Sequence, residues 1–322
     1  GVDRGAPLVN HMAEMVNQPK GAILRLLRSS CRPVSGTQLG RELGMSRVAV
    51  WKHVRDLMAR GYDIERSGLG YWLVSAPDLL LPWELRGVRG EVHHFDEVGS
   101  TMDVARELAR KGAGAGTIVV AERQSGGKGR LGRQWLSPPG GIYCSLILRP
   151  RISPAHAART TLMVSVAVAQ AIRKVLGLPA ELKWPNDVLI RGRKVCGVLA
   201  EMQAEADAVD FVILGMGVNV NTSVSEERAT SLSEELGRQV SRSQVLEAIL
   251  SEVEAVEGLL GTQELLEKWK SLSATLNRSV RIVGLGEEIE GEAVDVGSGG
   301  ELIVRGRDGL LRSVVAGDCS HL

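Results

Sequence analysis

No apolar run in the 322 residues approaches the ~20 needed to cross a bilayer, so no membrane partner is expected. No stretch reads as a secretory leader. Cysteine is scarce: Cys31, Cys144, Cys196 and Cys319 are widely spread, without CxxC or Cys/His ligand spacing. That spread argues against a disulfide framework or a zinc site and for reduced thiols in the cytoplasm. No Walker A sequence occurs. The net charge of +1 favours no partner for the chain as a whole, so a charge signal must be sought locally. Gly1–His11 has mixed composition, and His11-Met12 reads as a cloning junction with the natural start at Met12; residues 1–19 are set apart as a tag or extension.

What the chain does have is glycine and positive charge in one place. Between Gln124 and Trp135, Gly126, Gly127, Gly129 and Gly132 alternate with Lys128, Arg130 and Arg133. Glycine lets a backbone approach a ligand closely, and successive N–H groups among cations make an anion cradle. The apolar run Thr117–Ala121 reads as a buried strand delivering this loop. Gly127, Gly129 and Gly132 match the dinucleotide fingerprint in form only. That fingerprint must open a helix, whereas Pro138-Pro139-Gly140-Gly141 follows here and forbids one. A solvated surface loop is the alternative reading.

The local charge signal lies near the N-terminus. Over residues 20–75 ten cations oppose four acids, an excess of six on a chain of net +1. The pattern there is a helix over Lys20–Ser29, a second over Thr37–Leu43 closed by Gly44, and a third over Arg47–Arg60 capped by Ser46. Val50, Val54, Leu57 and Met58 form its expected inner face. Gly61–Val74 reads as a hairpin, so the module is a winged helix-turn-helix. Ser46, Arg47, Trp51, Lys52 and Arg55 are the candidate DNA-binding residues, with operator DNA as partner. A winged helix kept for protein contacts is the alternative.

Further motifs lie at Lys183-Trp184-Pro185-Asn186-Asp187, at Arg191–Glu201 and at Leu214–Asn221. Before them stand a strand Glu91–Val98 with His93-His94, two strand positions rather than a metal site, and Ser100-Thr101. There Ser100 is expected to cap a helix to Lys111 with Asp103 as a capping-box partner. A buried strand Ile142–Leu148, a long helix Ser153–Leu176, a hairpin of Lys183–Ile190 with Lys194–Met202, a strand Phe211–Val220 and helices Ser243–Leu260 and Gln263–Leu272 complete the pattern. From about Thr275 short strands separated by glycines indicate a small barrel.

In these motifs the chain resembles the biotin protein ligases, and with the winged helix it resembles their bifunctional type, ligase and biotin operon repressor. The resemblance implies an α+β multi-domain protein. A winged helix-turn-helix over 20–75 and a linker over 76–90 would precede a central α/β catalytic domain over 91–274, with a class II synthetase-like mixed sheet. An SH3-like β-barrel over 275–322 would pack by the active site. It implies activation of biotin by ATP to biotinyl-5'-AMP and transfer to a lysine of a biotin carboxyl carrier protein, with biotin-dependent repression of transcription. A lipoate–protein ligase and a ligase with a non-functional DNA module are the alternatives.

By the same resemblance, biotin is held by Ser100, Thr101, Met102, Gln124, Lys128, Gly129, Arg130 and Lys194. An anion meeting a polyanion needs cations and normally Mg²⁺, so Arg130, Lys194 and Lys183 are the candidate catalytic residues. Arg130, Arg133, Asn186, Asn219 and Asn221 are candidates for ATP and the adenylate, the last two sharing one face of a strand. Asp187 is the candidate Mg²⁺ ligand or a turn-forming residue. Trp135 is expected to pack under the loop. Lys128 and Met102 stand where the family often has arginine and a polar residue. Biotinyl-AMP would act as corepressor by driving homodimer formation.

Overall fold

The computed structural model describes residues 19–205, 208–284 and 287–322. The remainder of the expected N-terminal extension, residues 1–18, lies outside them. Two compact units divide the chain at Arg86/Gly87.

The first unit contains helices α1 (residues 19–29), α2 (Gly36–Leu43) and α3 (Arg47–Ala59), then an antiparallel hairpin of β1 (Asp63–Ser67) and β2 (Gly70–Ser75). Ser35 Oγ accepts from Gln38 N and Ser46 Oγ from Ala49 N, so a serine caps each of α2 and α3. Gly44 ends α2 in the left-handed conformation expected of it. A Cβ at Gly40 would lie 2.5 Å from Met45 O, so only glycine lets the turn into α3 pass this close. Ile23, Leu24, Leu27, Leu39, Val50, Val54, Leu57, Tyr62 and Ile64 form the core. Met58 is half exposed instead of inward-facing. At 3.6 residues per turn it lies about 80° round from Val50, beyond the edge of the stripe. The segment read as a linker begins inside this unit. Leu81 joins its core, and Glu84 accepts from Tyr62 Oη (2.5 Å) and from Arg28 (2.8 and 3.0 Å).

The second unit is built on a seven-stranded sheet in the order β3-β4-β5-β9-β8-β7-β6. Its strands are β3 (Val92–Phe95), β4 (Ile118–Ala121), β5 (Ile142–Leu148), β6 (Ala180–Lys183), β7 (Asp187–Ile190), β8 (Arg193–Glu205) and β9 (Ala208–Val218). Among the described residues, β3 and β4 are the one pair of neighbouring strands in this sheet that run parallel. Helix α4 (Thr101–Arg110) packs on one face through Met102, Ala105 and Ala109 against Val119, Ile147, Phe211 and Ile213. Helix α5 (Ala158–Leu176) is buried on nearly all sides. Helices α6 (Leu232–Leu236), α7 (Arg242–Glu257) and α8 (Gln263–Ser271) follow.

Three expectations shift here. Lys183–Ile190 is not one strand: Trp184-Pro185-Asn186 breaks it, and Lys183 pairs across the turn with Asp187. Strand β9 ends at Val218, short of Asn219 and Asn221. Ser100 occupies the N-cap position of α4, but its side chain makes no cap bond, and Asp103 turns to Arg106 and Lys128.

The C-terminal domain is the small β domain expected, a five-stranded antiparallel sheet in the order β13-β12-β11-β10-β14. Its strands are β10 (Ser279–Gly284), β11 (Glu287–Val296), β12 (Leu302–Gly306), β13 (Leu311–Val314) and β14 (Asp318–His321). Strand β14 has no signal in the sequence, because Asp-Cys-Ser-His lacks apolar alternation. It ties the domain to the larger sheet: His321 Nε2 is 3.1 Å from Thr275 Oγ1, which accepts from Trp184 N at 3.0 Å.

Candidate active site

The motifs separated in sequence meet over the α4 face of the sheet, in a cleft of about 300 Å³. Its floor is made of small residues. Gly217 pairs with Gly197 and Gly215 with Leu199, on the same face as Ile213. The missing side chains are filled from above. A Cβ at Gly217 would lie 2.4 Å from Trp135 Cε2, and one at Gly215 would lie 2.6 Å from Met102 Sδ.

One wall is the start of α4. Gln124 Oε1 accepts from Thr101 N (2.8 Å) and Thr101 Oγ1 (3.1 Å), and its Nε2 donates to Ser137 Oγ (2.9 Å). Thr101 Oγ1 also lies 2.8 Å from Ser145 Oγ. Gln124 therefore fixes the Ser-Thr turn. Ser100 Oγ is buried and has no partner, while Ser100 itself lines the cleft. A buried hydroxyl without a partner is costly, so this is where a polar ligand group fits.

A second wall is the glycine loop, folded back on itself by Trp135 N to Gly127 O (2.9 Å) and Gly129 N to Arg133 O (2.8 Å). A Cβ at Gly127 would lie 2.4 Å from Trp135 O, which is why glycine is needed there. Lys128, Arg130 and Arg133 all line the cleft. Arg130 donates to Asn186 Oδ1 (3.3 Å) and Gly317 O (3.2 Å). Burial pulls its pKa down, and Asp187 and Asp318 oppose that. Arg133 pairs with Asp318 at 2.9 Å and Lys128 with Asp103 at 2.5 Å. Lys194 reaches the cleft from β8 at an irregularity in register, where Leu189 pairs with Lys194 and Val188 with Cys196. Bulges of this kind re-aim side chains. Its Nζ lies 2.7 Å from Asp187 Oδ1 and 5.2 Å from the Trp135 ring centre.

Thus Ser100, Thr101, Met102, Gln124, Lys128, Gly129, Arg130, Arg133, Asn186, Asp187, Lys194 and Asn219 line one cleft. Two candidates do not. Lys183, at the end of β6, acts electrostatically on Cys319 and His321 of the C-terminal domain. Asn221 spends its amide on Val240, donating to the carbonyl at 2.8 Å and accepting from the N–H at 3.0 Å. The shared strand face argued for Asn219 and Asn221 is absent because the strand has already ended. Conversely, Trp135, Asp318 and the segment Thr222–Glu226 line the cleft without having been singled out as ligand residues. The glycines at alternate positions 215 and 217 were the available signal for the floor.

In the first unit Arg47, Trp51, Lys52 and Arg55 are exposed on α3, and Arg55 stacks on the Trp51 ring at 4.8 Å. Ser46 is exposed but serves as the cap of α3.

A winged helix, a mixed sheet bearing a cation-lined cleft under a glycine loop, and a small antiparallel domain together define a protein ligase of the biotin type. The model of the biotin/lipoate A/B protein ligase family matches residues 95–219, a helix-turn-helix model matches 21–71, and the biotin protein ligase C-terminal domain matches 275–322. The bifunctional ligase/repressor BirA of Bacillus subtilis is 37% identical over 86% of this chain and 90% of its own, and that of Escherichia coli is 30% identical over 89% and 92%. The biotin protein ligase of Aquifex aeolicus, solved in complex with biotin and ATP, superposes with a TM-score of 0.63 at 31% identity, covering 72% of this chain and 98% of that one. The chain belongs to the biotin protein ligase family, among its bifunctional ligase/repressors.

Proposed function

We infer that the protein activates biotin with ATP, transfers it to a lysine of a biotin carboxyl carrier protein, and represses transcription through its winged helix. The observation that carries the enzymatic half is the convergence of Lys128, Arg130, Arg133 and Lys194 on a single cleft that also holds the buried, unpartnered Ser100 hydroxyl.

In the first step the biotin carboxylate attacks the α-phosphorus of ATP, forming the acyl–phosphate bond as pyrophosphate leaves. Both reactants are anions, so fixed cations lower the barrier. Lys194 and Arg130 fill that role, Arg130 by a forked contact to phosphate oxygens. The ureido head of biotin sits at Ser100-Thr101 beside Gln124, and Trp135 and Met102 give apolar cover. Asn186, Asn219 and Arg133 serve the nucleotide. In the second step the acceptor amine attacks the carbonyl and AMP leaves.

Among the described residues no three potential ligands cluster as a metal site. One cleft carboxylate is enough for Mg²⁺ arriving with ATP, since that ion keeps waters and binds phosphates with one or two carboxylates. Asp187 is that carboxylate, and Mg²⁺ would supply charge neutralisation on the triphosphate.

On DNA, Arg47, Lys52 and Arg55 meet phosphates and base edges of an operator, and Trp51 adds an apolar contact. Biotinyl-AMP is the corepressor and favours a homodimer.

Incubation of the full chain with ATP, Mg²⁺, a biotin carboxyl carrier domain and either biotin or lipoate, followed by mass spectrometry, tests the enzymatic half. Addition of one biotin is expected. Lipoate addition in preference to biotin would overturn the assignment.

A further inference from the structure

The glycine loop leaves the sheet after β4 and returns at β5, so its roots are Glu122 and Gly141. Both roots meet one buried cation that takes no part in lining the cleft. Arg242, the first residue of α7, lies 2.7 Å through Nη2 from Glu122 Oε2 and donates through Nη1 to Gly141 O at 2.9 Å. The other carboxylate oxygen of Glu122 lies 3.0 Å from His94 Nε2 on β3. Glu122 and Arg242 are both buried.

The return root is held further. Gly140 O accepts from Asn221 N (2.8 Å), Pro138 O accepts from Tyr143 Oη (2.6 Å), and Asn221 is clamped to Val240, two residues before Arg242. A Cβ at Gly140 would lie 2.9 Å from Asn221 O. Asn221, which the sequence assigned to the nucleotide, thus belongs to this anchorage.

We propose that Arg242 is a positioning residue that pins both roots of the glycine loop and so sets how long the cleft retains biotin and its adenylate. This rests on the proposed reaction. The physical reason is the cost of ordering a glycine-rich loop. Four glycines give the tip a large conformational freedom, and a fixed separation of the roots removes part of the entropy that ligand binding would otherwise have to overcome. A guanidinium suits the task because its planar fork reaches two acceptors at once, which an ammonium on a single stem does less well. The clamp touches no substrate, so it acts on binding and retention rather than on the chemical step.

The test uses the full chain with Arg242→Lys and Glu122→Gln. The expected result is a KM for biotin and an adenylate dissociation rate each raised about tenfold, with the single-turnover rate of adenylation at saturating biotin within about threefold of the parent. The adenylate-bound variants should also be cut faster by trypsin at Lys128, Arg130 and Arg133. Tyr143→Phe loosens only the return root and leaves no buried charge unpaired, so it keeps the test open if the other two fail to fold. It should give the same split, with KM and dissociation raised about threefold. Unchanged KM and dissociation in the variants that fold, or a loss confined to the chemical rate, would overturn the proposal. If the parent protein itself forms no biotinyl-adenylate, the functional reading fails instead.

Discussion

Lys194 Nζ lies 2.7 Å from Asp187 Oδ1, so the cation expected to meet the substrate carboxylate already holds a carboxylate of the cleft. The two side chains sit on paired strands, and the irregular register of β8 brings them together. The ion pair keeps the Lys194 side chain aimed, and substrate binding shares its ammonium between Asp187 and the incoming anions.

Lys194→Ala and Arg130→Ala are each expected to lower pyrophosphate release by at least ~10²-fold, the scale of losing one transition-state charge contact. Arg130 should be the less tolerant of exchange for the other cation: its Nη1 is engaged with Asn186 and Gly317, and only a guanidinium keeps further donors in a fixed fork for the phosphate oxygens. Pyrophosphate release near the parent rate in both alanine variants would remove these residues from the chemistry.

The floor makes a graded steric prediction. A Cβ at Gly217 would lie 2.4 Å from Trp135 Cε2, and one at Gly197 would lie 2.9 Å from Cζ3 of the same ring. Gly217→Ala should therefore raise the KM for biotin more than Gly197→Ala. Its increase should be at least about fivefold, the low end of the ~1–3 kcal/mol that overpacking costs. Steady-state kinetics on the two variants give the ranking directly, and the reverse order would mean that Trp135 does not cover the biotin site.

His321 makes a prediction about pH. Burial first, then Lys183 and Arg278, pull its pKa from 6.5 to about 4. Folding thus favours the neutral ring, which contacts Thr275. Between pH 6.5 and about 4 the unfolded chain takes a proton that the folded chain refuses, so this contribution to stability is present above 6.5 and is lost as pH falls through that window. Thermal unfolding from pH 7 to 4 should show a smaller drop in midpoint for His321→Gln than for the parent. Equal drops would mean that the ring is not held neutral.

These residues also show where a sequence is legible. The three-domain order, the cap at Ser46, the stop at Gly44 and the glycine loop are local signals, set by side-chain chemistry within a few residues, and Ser46, Gly44 and Gly126–Gly132 carry them openly. Most cleft residues were legible because their motifs are distinctive in composition. What was not legible depends on where strands stop and which partners arrive from afar. Asn221 reads like Asn219, yet Val240 claims its amide. Asp318 sits in a polar tetrapeptide with no strand pattern, yet β14 carries it to Arg133. Ser100 reads both as a cap and as a ligand contact, and of the two the side chain makes no cap bond while the residue lines the cleft.

The last prediction joins the two activities. A single winged helix reads one half-site, and tight operator binding usually needs a two-fold dimer on a palindrome. Ligand can shift a protein toward its DNA-binding form only through a difference in affinity between forms. The glycine loop is expected to offer that difference, the adenylate ordering it so that its surface is shared between two copies. Biotinyl-AMP is therefore expected to strengthen dimerisation and, through it, operator binding, and by linkage DNA should tighten adenylate binding in return. Operator affinity should fall steeply with salt, by about −0.9 in logarithmic slope for each phosphate neutralised. Arg47→Ala and Lys52→Ala, both exposed on α3, should weaken operator binding and flatten that slope while leaving biotin transfer intact. Sedimentation and operator titration with and without adenylate measure both effects. Dimerisation and DNA affinity that ignore the adenylate would leave the ligase reading in place and sink the corepressor one, since the cleft would then have no route to the winged helix.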